Sequence, residues 1–334
     1  MPGDSILVVG GAGYIGAHMV TDLLRAGYQA VTLDNLSRGH RDLVPGGTFV
    51  QGDLGDAALL DNVFTQHRIS AVMHFAAFSL VGESVSRPLE YYYNNVAKTV
   101  ELLRAMTRHQ VQNFIFSSTA AVYGEPRGIQ PLREDDPCQP ANPYGATKLA
   151  VERMLADCAA VNSLRYVSLR YFNAAGADPS GTPGERHDPE THLIPLILQV
   201  ATGERQSIQI FGTDYPTSDG TCIRDYVHVG DLAQAHLLAL RHLMEGGSSA
   251  VYNLGNSRGH SVREVIDVAR AVTGHAIPAV PAARRAGDPA MLVADSEKIR
   301  RDMGWKPKFE DLRTIIETAW TWHSKEAARK KTST

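Results

Sequence analysis

The chain has 334 residues, room for one large domain or two unequal ones with a sizeable core. With 43% hydrophobic and 21% charged residues and a formal charge of only −3, it offers no extended surface for nucleic acid or an anionic membrane. Cys138, Cys158 and Cys222 are odd in number and far apart, which argues against a disulfide framework and a structural zinc site; with no bilayer-length apolar run and no basic leader before "SILVVGG", a soluble protein of the reducing cytoplasm is expected.

In chain order, "SILVVG" is a strand, Tyr14 to Ala26 a helix ended by Gly27, and "YQAVTLD" and "GTFVQGD" are further strands. Asp56 to His67 follows as a helix, "AVMHFA" as a strand, and about Arg87 to His109 as a long helix. The strand "NFIFSS", a helix from Tyr144 to about Val161 and the strand "RYVSLRYF" complete the first half. Strands that are apolar without alternation, each followed by a helix, predict an α/β fold: a doubly wound parallel sheet of Rossmann type, covered on both faces.

The pattern then changes to "NAAGADPSGTPGERHDPETH", an irregular segment long enough to predict a functional loop or a domain crossover. Beyond it lie the short strands "SIQIF" and "VYNLG", a helix from about Leu232 to Met244, and another opened by the capping box Ser261 to Glu264. The division expected is a nucleotide-binding domain over 1–180 and a smaller α/β substrate domain over 181–334, with the helix near 232–244 able to pack back on the first. The tail "SKEAARKKTST" reads as a fraying, solvated helix end.

"VVGGAGYIG" sets Gly10, Gly13 and Gly16 between a strand and a helix whose first residues are Tyr14 and Ile15. Glycine suits a tight turn where a pyrophosphate meets the backbone N–H groups of a helix N-terminus. Asp34 ends the second strand, followed by Asn35, at the distance where an acidic side chain accepts from a ribose 2′-hydroxyl, favouring NAD over NADP; Arg38, four residues on, could instead favour a 2′-phosphate. Other strand ends supply Asp53 and Leu54, Phe75, Ala76 and Ala77, and Ser117, Ser118 and Thr119 to the same crevice. His74, within an apolar strand, reads as a core histidine.

A dinucleotide site predicts hydride transfer, which needs a base for the proton of the hydroxyl being oxidised. In "NPYGATK", Pro143 suits a first helical turn and puts Tyr144 and Lys148 on one helix face. Lowering a tyrosine to a pKa of about 6 or 7 takes roughly 4 to 5 kcal/mol of phenolate stabilisation, for which Lys148 and the positive nicotinamide ring are the candidates. Thr119 could bond the same substrate oxygen. Taken alone, the pair reads equally as a surface contact at a helix start. His187 and His192 invite a metal, but with no cysteine and no second pair beside them none is expected.

Together "GGAGYIG", "SSTAAVYG", "NPYGATK", "RYFNAAGADPSG", "DGTCIRDYVHVGDLA", "VYNLGN" and "RRAGDPAMLVAD" resemble the extended short-chain dehydrogenase/reductases and, within them, the UDP-glucose 4-epimerase family, from Ser5 to about Trp322. The resemblance implies tightly held NAD, reduced and reoxidised in each turnover, and a 4-keto sugar that swings about its diphosphate and takes hydride back on the other face. By matching position it makes Tyr144 the base and acid, Lys148 its activator, and Thr119 the hydroxyl partner. It puts Asn94 and Tyr171 beside cofactor or substrate, Arg224 and Arg285 on the diphosphate, Phe211 against uracil, and Asn173, His192, Leu193 and Asp288 among the substrate contacts. It also implies a homodimer, to which Val96, Val100, Leu103, Leu149 and Leu155 could contribute if they do not face the sheet.

Two departures stand out: Ser79 where a member of that family has Lys, and His192 where it has Asn. Leu292 stands where a large Tyr excludes N-acetyl sugars in some relatives, so room for UDP-GlcNAc beside UDP-glucose and UDP-galactose is expected. A 4-epimerase of UDP-pentoses or UDP-uronates remains open, as does, more distantly, a non-catalytic NAD-binding redox sensor. A 4,6-dehydratase is disfavoured because Ala120 and Ala121, not an acid and base pair, follow Thr119.

Overall fold

The computed structural model describes residues 4–332 except 127, 129, 286 and 287. The first half runs β1 (Ser5–Val9), α1 (Tyr14–Arg25), β2 (Gln29–Asp34), β3 (Thr48–Gln51), α2 (Ala57–His67), β4 (Ile69–His74), α3 (Val81–Ser86), α4 (Pro88–Tyr92), a π-helical turn (Tyr93–Ala97), α5 (Lys98–Arg108), β5 (Asn113–Thr119), α6 (Pro143–Val161) and β6 (Arg165–Tyr171). Then follow β7 (Asn173–Ala175), α7 (Leu193–Ala201), β8 (Ile208–Phe211), β9 (Ile223–His228), α8 (Val229–Met244) and β10 (Ala250–Leu254). The chain ends with β11 (Gly259–Ser261), α9 (Val262–Thr273), β12 (Ala279–Ala282), β13 (Met291–Leu292), α10 (Glu297–Met303) and α11 (Leu312–Thr332).

Seven strands pair in the order β10-β6-β5-β4-β1-β2-β3, all parallel. Side chains alternate across a strand, so Ile6 and Val8 of β1 enter the core layer formed with α1 and α8, while Leu7 and Val9 enter the layer formed with α2, α5 and α6. Burial on both faces is why β1 is apolar without alternation. The strand order reverses at β1, so a crevice opens beyond the carboxyl ends of β1 and β4, where Phe75 and Ala76 both donate backbone bonds to Val9.

A second core, built on α7, α9 and α11, backs a four-stranded sheet in which β9 pairs with β7, β11 and β13. The expected strand "VYNLG" is β10 and belongs to the first sheet, parallel to β6. The chain returns there because α8 packs against α1, β5 and β6, so sheet membership crosses the sequence boundary at residue 180. Helix α7 went unrecognised because "LIPLILQVA" is apolar nearly throughout, leaving little polar contrast to mark the buried face of Ile194, Ile197, Leu198 and Ala201. The tail stays helical to Thr332, with Lys330 bonded to Glu204 at 2.7 Å and Glu326 to Arg186 at 2.6 Å.

The long helix expected over about 87–109 is interrupted by the π turn, and buried Asn95 gives the reason. Its amide donates to the Phe78 carbonyl (2.9 Å) and to Thr147 Oγ1 (3.1 Å), and its side-chain oxygen accepts from Phe78 N (2.8 Å). The extra residue of the turn points that side chain inward, pinning the segment after β4 to α6.

Helix α6 is also fixed to the sheet by a buried ion pair. Arg170 of β6 meets Glu152 of α6 at 2.6 Å, both side chains 6% exposed, and Ser118 of β5 donates to the same carboxylate at 2.5 Å. Removing one partner strands the other's charge, so Arg170→Ala is expected to destabilise the protein by about 3–5 kcal/mol, and joint replacement with Glu152→Leu to cost much less. Urea unfolding of both variants measures this; equal losses would show that the stranded charge is not the source.

Candidate active site

At the carboxyl end of β1, Gly10 has φ 81°. A Cβ there would lie 2.4 Å from Ala76 N, and one on Gly16 would lie 2.2 Å from the Gly10 carbonyl oxygen. Gly13 is different: its nearest neighbour would be that oxygen at 3.4 Å, so the protein itself does not crowd it. Gly13 caps α1 without a side-chain bond, leaving N–H groups of the first turn to an anion approaching from outside. This cradle fits a pyrophosphate. Tyr14 turns the other way and donates to the Gly176 carbonyl at 2.6 Å, while Ile15 packs on the core, so both border the crevice through their backbone.

Buried Asp34 accepts from Ala12 N (3.0 Å) and Leu36 N (2.8 Å), and burial raises its pKa. Asn35 donates to Asp53 at 2.9 Å, and Lys98 donates to the same carboxylate at 2.7 Å; Leu54 is buried beside them. Arg38, the sequence's argument for a 2′-phosphate, is bonded to both Glu83 oxygens at 3.0 and 3.1 Å, which favours NAD. Half-buried Phe75, Ala76 and Ala77 line the end of β4, and Phe75 packs on the His236 ring at 4.8 Å. Ser79 is exposed. His74 is a core residue bonded to Thr99 at 2.9 Å.

Asn142 caps α6 by accepting from Gly145 N at 2.9 Å, and Pro143 opens the helix, so Tyr144 faces the end of β5. Its hydroxyl is hydrogen-bonded to that of Thr119. Ser117 and Tyr171 share a short hydroxyl bond on the neighbouring strands, and Tyr171 is close enough to feel a charge on Tyr144. Asn94 donates to Asn95 at 3.1 Å in the π turn. Lys148 is 3% exposed, donates to the Ser117 carbonyl at 2.7 Å, and lies 4.8 Å from the Phe116 ring.

The electrostatics add a condition that the spacing did not reveal. Burial pushes Tyr144 up to about 12 against the Thr119 bond, and pushes Lys148 down to about 7 against the attraction of Glu152. The lysine head is turned to a carbonyl, so in the protein alone it does not draw the phenol down. A cationic group brought beside the phenol would lower it again.

Across the crevice, the Arg224 guanidinium is ion-paired with Asp288 and donates to the Ile223 carbonyl at 2.7 Å. Leu292 pairs with Arg224 between β13 and β9 and packs on the cluster of Ala120, Val122 and Phe172, next to Thr119. Arg285 lies over the Phe211 ring at 4.0 Å, and Asn173 donates to the Asp225 carbonyl at 2.9 Å. The motif "RRAGDPA" includes residues 286 and 287, which lie outside the described residues. His192 caps α7 just before Leu193, with its ring 2.6 Å from Glu185. Glu185, His187, Glu190 and His192 come together within 4.8 Å, a cluster the sequence reading discounted because it counted the histidines and not the neighbouring glutamates. Asn95 and the Glu152–Arg170 pair were also missed. A polar Asn-Asn step inside an otherwise helical run was the one available signal for Asn95.

The sequence profile of the NAD dependent epimerase/dehydratase family matches residues 6–255. A UDP-glucose 4-epimerase of Halalkalibacterium halodurans is 58% identical over 319 residues, covering 96% of this chain and 95% of the relative. The crystal structure of UDP-glucose 4-epimerase from Brucella ovis in complex with NAD is similar with a TM-score of 0.93 at 50% identity, covering 95% of this chain and 97% of that one. The UDP-glucose 4-epimerase from Bifidobacterium longum in complex with NAD+ and UDP gives 0.91 at 39%, covering 96% and 98%.

Because Lys148 is held near 7, below its ordinary value of 10.5, the unfolded chain binds the extra proton between these pH values. Stability from this group therefore rises with pH across that window, by at most about 1.4 kcal/mol per unit. In urea unfolding of cofactor-free protein from pH 7 to 10, the wild type is expected to gain on Lys148→Met as pH rises; parallel profiles would mean that burial does not depress the lysine.

Proposed function

The chain belongs to the NAD dependent epimerase/dehydratase family, and from that premise we infer that it interconverts UDP-glucose and UDP-galactose by inverting carbon 4 of the sugar. The observation that carries the reading is the Thr119–Tyr144 hydroxyl pair at the cofactor crevice, facing the layer that bears Arg224, Asp288 and Leu292. NAD, when bound, would supply a hydride acceptor and then donor. The glycine turn and the N-terminus of α1 would hold its pyrophosphate and Asp34 its ribose hydroxyls, with Lys148, Ser117 and Tyr171 at its nicotinamide end.

Tyr144 takes the proton of the sugar 4-hydroxyl through Oη while Thr119 holds the same oxygen. It returns the proton once the keto sugar presents its other face. Arg224 and Arg285 hold the diphosphate with forked donors, and Asp288 fixes the Arg224 fork. Phe211 lies against the uracil, and Asn173, His192 and Leu193 are further substrate contacts. The sugar thus turns between walls that grip only the nucleotide. Ala120 and Ala121 follow Thr119, so no acid and base stand ready for elimination.

Half-buried Leu292 supports acceptance of UDP-GlcNAc as well. The protein works as a cytoplasmic homodimer, paired along the groove between α5 and α6 that is lined by Val100, Leu103, Met154 and Cys158. Of the other residues considered for that seam, Leu149 and Leu155 are core residues and Val96 packs on the core; Leu103 is itself buried in the same core as Leu155 and reaches the groove only from beneath.

Incubation of purified protein with UDP-galactose, UDP-GlcNAc and UDP-xylose, without added reductant, and proton NMR of the products tests the reading. UDP-glucose and UDP-galactose are expected to equilibrate, and absence of any 4-epimer would overturn the assignment. Tyr144→Phe is expected to keep NAD and lose at least about 100-fold in kcat. Leu292→Tyr is expected to cut kcat/KM for UDP-GlcNAc by about 10-fold or more while sparing UDP-galactose, a loss common to both substrates counting against Leu292 as the size filter.

A further inference from the structure

The crossover from β7 to α7 carries a cluster that the epimerase reading does not use as a unit. We propose that Glu185, His187, Glu190 and His192 form a binding site for a single divalent transition-metal ion of the zinc class. One donor atom from each lies within 4.8 Å of all the others. His187 Nδ1 is 3.3 Å from Glu185 Oε1 and 3.4 Å from Glu190 Oε2, and His192 Nδ1 is 3.6 Å from Glu190 Oε1. A tetrahedral ion with bonds of about 2.0–2.1 Å sets its ligands roughly 3.3 Å apart, close to the two His187 contacts; the His192 contact to Glu190 is made by that residue's other oxygen, so one carboxylate must turn to close the set. The remaining contact, His192 Nδ1 to Glu185 Oε1 at 2.6 Å, is a hydrogen bond that opens when its proton leaves.

Burial is the second observation. The Glu185 and Glu190 side chains are only 4% and 6% exposed, and two enclosed carboxylates at one point need positive charge between them. His187 Nδ1 is buried without a hydrogen-bond partner and faces both. Two imidazoles with two carboxylates neutralise one dication, and the nitrogen donors suit zinc rather than magnesium or calcium.

The frame around the donors is hydrogen-bonded on several sides. Trp322 Nε1 donates to the Glu185 carbonyl at 2.8 Å, and Glu190 Oε1 accepts from Thr191 N (2.7 Å) and His192 N (2.9 Å). The His187 ring stands edge-on to Tyr14 at 6.2 Å, and Arg38 donates to the Asp188 carbonyl at 3.2 Å. Metal here staples the crossover between the glycine-loop helix α1 and the start of α7. The alternative occupant of the site is a pair of protons, one on each imidazole.

The test uses untagged, full-length protein, stripped with chelator, dialysed and titrated with Zn2+ alone by calorimetry in two buffers of different ionisation enthalpy. About one equivalent per chain is expected, with release of imidazole protons. Tm should climb with the logarithm of free zinc. His187→Ala with Glu190→Gln is expected to weaken binding at least about 10-fold, while His275→Ala, an exposed histidine elsewhere, leaves it unchanged. Glu190→Gln alone makes the same comparison if the double variant does not fold. No saturable binding in the micromolar range, or equal binding by the cluster variants, would overturn the proposal. Because the readouts are stoichiometry, protons and Tm, a failure here leaves the epimerase reading untouched, and the reverse also holds.

Discussion

The buried Glu152–Arg170 pair is the constraint on which the site depends. Both Arg170 Nε and Nη2 bond the carboxylate, and Arg170 Nη1 also donates to the Tyr123 hydroxyl at 2.9 Å, which donates in turn to Asn253 of β10 at 2.7 Å. Asn253 reaches on to the Leu132 carbonyl at 2.8 Å. One charge pair and its hydrogen bonds thus tie three adjacent strands, one helix and a connecting segment together at the carboxyl end of the sheet. Ser118, bonded to Glu152, stands between Ser117 and Thr119; Tyr171 follows Arg170; Lys148 lies one helical turn before Glu152. Such a pair, out of water, contributes less net stability than its Coulomb energy suggests, but it tolerates very few geometries. Here that restriction fixes the register between α6 and the ends of β5 and β6, and so the distance from Tyr144 to Thr119.

The same exclusion of water sets the chemistry. Burial disfavours charge on Tyr144 and on Lys148 alike, driving the phenol up and the ammonium down. Glu152 is the nearby charge that favours the ammonium, so the residue that positions the helix also partly offsets the effect of burial on its lysine. In a low dielectric, a cationic nicotinamide placed beside the phenol would act strongly on it, in keeping with the proposed role of Tyr144 as the base.

Features resting on local rules could be read from the sequence. The strands of the first sheet announce themselves because burial on both faces removes alternation, and Gly10 and Gly16 because any side chain there meets backbone. The step from Tyr144 to Lys148 was legible as one helix face. What could not be read depends on partners distant in the chain. β10 joins the first sheet only because α8 packs under it, the π turn exists because Asn95 finds Phe78 and Thr147, and the direction of Lys148 is decided by the Ser117 carbonyl. The Glu185 cluster shows the same limit within eight residues, since spacing alone does not say that an irregular loop folds its carboxylates onto its own imidazoles.

The two halves meet with little slack, and this bears on how one site can serve both faces of a sugar. β7 begins at Asn173, two residues after Tyr171 closes β6, and pairs at once with β9, whose Arg224 is in register with Leu292 of β13. Leu292 packs in turn on the cluster that includes Ala120, the residue after Thr119. The nucleotide anchors and the proposed base therefore share one short chain of strand pairings, with no flexible linker between them. A site whose two ends are fixed in this way cannot follow a substrate that turns over; the substrate must turn inside it. The freedom that epimerisation needs then lies in the bonds between diphosphate and hexose, and on the proposed reading the protein's part is to grip the first and present to the second a half-buried leucine.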